Sequence, residues 1–185
     1  QRVWIRLGQV TDVVDAGERL VQADLAARLG QALGMPVAAI LTLPGTLSTP
    51  DLDAGRRRVQ VVGVDGAFAT LARTGRAPAP SPGEAVLSRA AAEALGLAPG
   101  DTVILRTAKL TAFPSETPLA ATGTDQARLR LRVSAVAGPD NLAEFSLAAE
   151  NLSPANVFVH RDHLCQALEV ARRAIKRGGG GAEAV

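Results

Sequence analysis

The chain of 185 residues has no tyrosine, one tryptophan and four phenylalanines, so aromatics are only 3% of it. Trp4, Phe68, Phe113, Phe145 and Phe158 are too few and too scattered for sugar-stacking sites or single-stranded nucleic-acid platforms, which need aromatic faces. Cysteine is nearly absent. The lone Cys165 excludes an internal disulfide and a cysteine-rich zinc site. It leaves the compartment open, because a domain with its own core needs no disulfide. No apolar run approaches the roughly 18 residues of a membrane span. The best stretch, 35–43, is interrupted by Pro36. The opening QRVWIRLGQ is too polar for a signal-peptide core. Charge of one sign is also lacking: 20 Lys and Arg face 18 Asp and Glu, a net charge of +2. So small a surplus gives no general drive toward phosphate backbones or anionic lipid.

What is present is an ordinary globular composition, 47% hydrophobic and 21% charged, enough to build a core. VTDVVD (10–15) reads as a strand. Asp15 with Glu18 reads as a capping box opening a helix whose apolar face is Leu20, Val21, Leu25, Leu29 and Leu33. Gly34 and Pro36 stop it. VAAILTL (37–43) reads as a strand and 44–56 as a loop. VQVVGV (59–64) reads as a strand ending at Asp65-Gly66, followed by a helical turn at Phe68 and Leu71. Residues 74–83 hold three prolines and read as a linker or long loop. Ala85–Leu87 is a short strand, Ser88 caps a helix ending at Gly96, and Pro99-Gly100 turns into the strand TVILR (102–106). RLRLRVSAV (128–136) alternates with period two, a strand with one wet face. Segment 139–154 is irregular, 157–160 is a strand, and Asp162 caps a last helix through Leu164, Leu168 and Ile175. The expected class is α+β: mixed sheet with about seven strands and three to four helices, as one unit or as two small lobes with a boundary near 74–83. No internal repeat stands out.

Few residues suggest chemistry. His160 and His163, with Asp162 between them, form a conceivable two-histidine, one-carboxylate metal set. The blander reading is a strand end running into a helix cap, with the two rings pointing apart. It is preferred, since no second ligand cluster accompanies them. Cys165 lies in an apolar helical pattern and reads as buried and inert. Asp51, Asp53 and Asp65 are scattered in loops and carry no acid–base assignment. The chain contains neither GxSxG nor GxxxxGK[ST]. Two arginine clusters, Arg56-Arg57-Arg58 and Arg128, Arg130, Arg132, read as solvated strand faces that also guard a sheet edge. Arg172, Arg173, Lys176 and Arg177 suit a helix C-terminus. No catalytic, cofactor or metal residue is assigned.

The segments VQVVGVDGAFATLA (59–72), PSPGEAVLSRAAAEALGLAPGDTVILR (80–106) and LRVSAVAGPDNLAEFSLAAENLSPANVFVHRDHLCQAL (131–168) together form an ordered pattern. It resembles the extracytoplasmic, MacB-like periplasmic core domain of MacB/FtsX-type ABC transporter permeases, over residues 8–168. Residues 169–185 depart from the family and read as a flexible C-terminal end. The resemblance implies a non-catalytic domain without cofactors, on the outer side of a bacterial membrane. It would be carried by transmembrane helices outside this chain and would couple ATP hydrolysis by a partner subunit to movement of a substrate. A permease dimer partner or an envelope adaptor is the implied contact, and nucleic acid is not. Phe113 and Leu119, on the polar connection 107–126, are the candidate contact residues. The phrase LGLAPGD (95–101) also occurs in AbrB-like hairpins and double-psi barrels, so a DNA-binding or regulatory domain is the alternative.

Overall fold

The computed structural model describes residues 8–15, 24–50, 56–72, 77–108, 126–138, 141–146 and 154–168. Six strands close into one barrel: β1 (Leu41–Ser48), β2 (Arg56–Val64), β3 (Glu84–Ser88), β4 (Thr102–Ala108), β5 (Gln126–Ala137) and β6 (Asn156–His160). Around the wall the order is β1, β2, β6, β3, β5, β4. β2–β6 and β3–β5 run parallel, and the other neighbours antiparallel. Among the described residues four helices accompany them: α1 (Leu25–Leu33), α2 (Gly66–Ala69), α3 (Arg89–Glu93) and α4 (Arg161–Ala167). The class is α+β with a mixed sheet, as expected. Strands from both sides of 74–83 share the barrel.

Strand alternation sorts the side chains into two cores. Leu47, Val61, Leu87, Leu105, Leu131 and Val159 point inward and belong to the barrel core. Val62, Val64, Val86 and Phe158, on the opposite parity, point outward and are covered by Phe68, Ala72, Leu142 and Phe145 from the connections. One wall, β2–β6–β3, is therefore buried on both faces, which explains its continuous apolar run VVGV. β5 is wet outside, and its residues 126–134 alternate strictly between exposed and buried.

Expectation and structure differ at five places. Residues 10–15 form no strand, and Val14 is 82% exposed. A closed barrel has no free edge to which a seventh strand could add. β1 starts at Leu41 and continues through Pro44-Gly45, read above as loop. Only β2 flanks β1 up to Pro44, and β4 joins at Gly45, so a missing N–H is tolerated there. Gly45 has its own reason. A Cβ there would lie 2.6 Å from Val61 Cγ2 and 3.0 Å from the Arg106 carbonyl oxygen. The leucine face of α1 is not core: none of its residues is buried and Leu33 is 62% exposed. The N-cap of α4 is His160, not Asp162; it makes no side-chain cap, and Asp162 sits in the first turn.

The fifth difference is internal symmetry. The parallel pair Val61–Val157 becomes the parallel pair Val133–Ala85 when 61 is moved to 133 and 157 to 85, each by 72 residues. β1–β2–β3–α3 thus repeats as β4–β5–β6–α4, with the halves interleaved around the wall. RVQVVGV (58–64) and RLRVSAV (130–136) are the trace of this repeat in the sequence. The pseudo-twofold axis leaves the barrel at two poles, the β3–β6 pair and the β1–β4 pair.

Candidate functional site

At the end of β2, Asp65 is extended and caps α2, its Oδ1 accepting from the Ala67 N–H at 3.0 Å. Its other oxygen accepts from Arg161 Nη1 at 2.5 Å. The same guanidinium donates through Nε to Asp162 Oδ1 at 3.2 Å. Arg161 thus clasps the connection after β2 to the start of α4. Both carboxylates are engaged, so this cluster is a tie rather than an acid–base pair. Gly63 lies beneath it, where a Cβ would stand 3.0 Å from Leu164 Cδ2.

The histidines of the conceivable metal set do different work. His163 Nδ1 accepts from the Gly83 N–H at 3.1 Å and so holds the turn before β3. His160 Nδ1 is buried and has no hydrogen-bond partner among the described residues. Among these residues no three of His, Cys, Asp and Glu gather as a metal would require. Cys165 is only partly buried. Burial pushes its thiol up, Arg161 pulls it back, and Asp162 adds to the rise. A thiol held protonated is a poor nucleophile. Asp51, Asp53, Phe113 and Leu119 lie outside the described residues, as do 169–185.

The β3–β6 pole holds a polar pin that the sequence reading missed. Asn156 is fully buried, and its Nδ2 donates to the carbonyls of Ala143 and Phe145 at 2.9 and 2.8 Å. Its backbone N–H donates to Ser88 Oγ, which also caps α3 through the Ala91 N–H and donates to the Pro154 carbonyl. A single asparagine in NVFVH gives no signal of this in sequence. Nearby, Phe68 meets Phe145 edge-on, with ring centroids 5.7 Å apart, and Phe158 at 6.1 Å.

The β1–β4 pole is polar outside. By strand register Arg58 lies opposite Thr46, Thr46 opposite Arg106, and Arg106 opposite Arg128. On the next rung, Arg56, Ser48, Ile104 and Arg130 follow in the same order. Arg106 Nη1 donates to the buried Ser48 hydroxyl at 3.0 Å. The two arginine clusters of the sequence, 72 residues apart, meet on one wall with Arg106 between them. The edge they were expected to guard does not exist, because the wall is closed.

No family model matches this sequence, and no curated protein matches it.

Proposed function

We propose that this chain is a non-catalytic extracytoplasmic domain of an ABC transporter permease, coupling ATP hydrolysis by a partner subunit to export or envelope-side movement of a substrate. One observation carries the reading. The segments that resemble the MacB-like periplasmic core, 59–72, 80–106 and 131–168, supply β3 and β6, most of β2, β4 and β5, and the helices α2, α3 and α4 of one closed barrel. The ordered motifs thus lie within one barrel, which is consistent with one domain of that kind. At the start of α4, Arg161 ties Asp65 to Asp162 and His163 holds the Gly83 turn, which suits a mechanical element. The partners of this reading are transmembrane helices outside the chain, an ATP-binding subunit, and a permease copy or adaptor. Phe113 and Leu119 remain its proposed contact residues.

The test is the coding sequence on either side of this segment. Apolar stretches of about 20 residues before and after it are expected. Their absence would end the reading. A reporter fused after residue 168 in the full-length product should be active on the outer side of the membrane. The second reading is a DNA-binding or regulatory domain of the double-psi type. The closed six-stranded barrel favours it, although fold analogy alone does not carry a function.

A further inference from the structure

The net charge of +2 conceals a strong local asymmetry. β1, β2, β4 and β5 contain no aspartate or glutamate, yet their outer face carries Arg56, Arg58, Arg106, Arg128, Arg130 and Arg132. All except the half-buried Arg106 are exposed, and they flank a centre where Ser48 and Ile104 are buried. Among the described residues, none of the five exposed arginines is in an ion pair. The nearest acid by register is Glu84, opposite Arg132 at one end of the row. The pseudo-twofold axis brings the two clusters together, so the patch follows from the interleaved topology and not from a local run of charge. Closure of the barrel removes the need for charged edge guards, and of these side chains only Arg106, bonded to the buried Ser48 hydroxyl, has a hydrogen bond within the fold among the described residues.

We propose that this face docks on a bilayer surface carrying anionic phospholipid, an inference that rests on the membrane-side reading above. The guanidinium fork binds phosphate bidentately and gives up its water more readily than an ammonium group. A patch of five or six such residues is of the size that holds a protein on an anionic leaflet. Duplex nucleic acid fits less well. Four adjacent strands span about 14 Å before side chains are added, and the major groove is about 12 Å wide. The face also offers no aromatic side chain on which a base could stack.

The test is co-sedimentation of the 185-residue chain with phosphatidylcholine vesicles, with and without phosphatidylglycerol, at low and high salt. Binding is expected only to the anionic vesicles and should fall with salt. Each arginine contributes roughly a fivefold factor. The pair Arg128→Gln with Arg130→Gln should therefore weaken partitioning about 25-fold. Removing equal charge elsewhere, Arg28→Gln with Arg89→Gln, should change it less than about twofold. Urea melts of both pairs check that they fold. Equal binding to neutral vesicles, or equal loss in the two pairs, overturns the proposal. So does tighter binding to a duplex oligonucleotide through the same arginines. If the chain ignores anionic vesicles while the flanking apolar stretches are present, this inference fails and the permease reading survives. Vesicle binding without those stretches would do the reverse.

Discussion

The two poles of the barrel's pseudo-twofold axis are built from equivalent strand pairs and finished in opposite ways. At the β3–β6 pole the outward residues Val86 and Phe158 are buried under Phe68, Leu142 and Phe145. At the β1–β4 pole the outward residues are Thr46 and Arg106, both half-buried, and Ser48 and Ile104, both buried, with exposed arginines on either side. The backbone scheme is shared, so the difference lies in the connections. After β2 and β5 the chain folds back as α2 and the 141–144 turn to roof one pole. The outer face under α2 and the 141–144 turn is accordingly apolar, and the other is polar at its centre and rimmed with arginine.

Breaking the roofed pole should have the largest effect. Phe158→Ala removes a fully buried ring from the second core and should cost about 3–5 kcal/mol, measured by urea unfolding. A loss below 1 kcal/mol would mean the roof contributes little. Next comes Asn156→Ala. It leaves the Ala143 and Phe145 carbonyls without their donor inside the roof, for about 2–3 kcal/mol. Increased amide exchange should be confined to 141–146 and β6. Tolerance at the arginine pole should stop at the wall itself. Gly45→Ala forces a Cβ against Val61 and should cost about 1–3 kcal/mol, although the strand's outer side is polar.

Cys165 gives a smaller, pH-dependent term. Its thiol is raised in the folded chain above the reference value of 9.0, mainly by burial. The stability it contributes is complete below that reference value and is lost as pH rises through the folded value. Alkylation by iodoacetamide near neutral pH should be slower in the folded chain than in urea, and Cys165→Ser should flatten the alkaline fall in stability. Equal alkylation rates would contradict the burial account. The smallest effect belongs to the arginine pole. Arg128→Gln with Arg130→Gln should shift stability by no more than about 0.5 kcal/mol. A large loss would show that these side chains hold the wall and are not free for a partner.

Much of the local structure is legible in the residues. Gly96 ends the α3 turn at φ +63, and Gly100 turns at φ +104, as LGLAPGD suggests. Asp101 accepts from the Ala98 N–H at 2.8 Å within that same turn. Ser88 caps α3, Asp65 ends β2, and the alternation of RLRLRVSAV matches one wet face. Period and turn chemistry are local properties, so a linear reading recovers them. The errors came where the partner decides. Pro44-Gly45 looked like a loop because proline and glycine disfavour strands. The one-sided start of β1 and the tight approach of Val61 make both acceptable. VTDVVD looked like a strand because its pattern fits one, but no edge was left to accept it.

The candidate sites divide in the same way. Separation of the two histidines was legible from a strand-to-helix boundary. The Asp65–Arg161 clasp, joining residues 96 apart, was not. By itself the sequence determined the α+β class, the turn positions and the wet face of β5, and its single cysteine left no internal disulfide to form. Tertiary structure alone decided that the strands close, that the two halves interleave, and that two arginine clusters 72 residues apart become one surface. The physical reason is that hydrogen-bond register and closure are properties of pairs of strands, and a pair is written nowhere in the linear order of one.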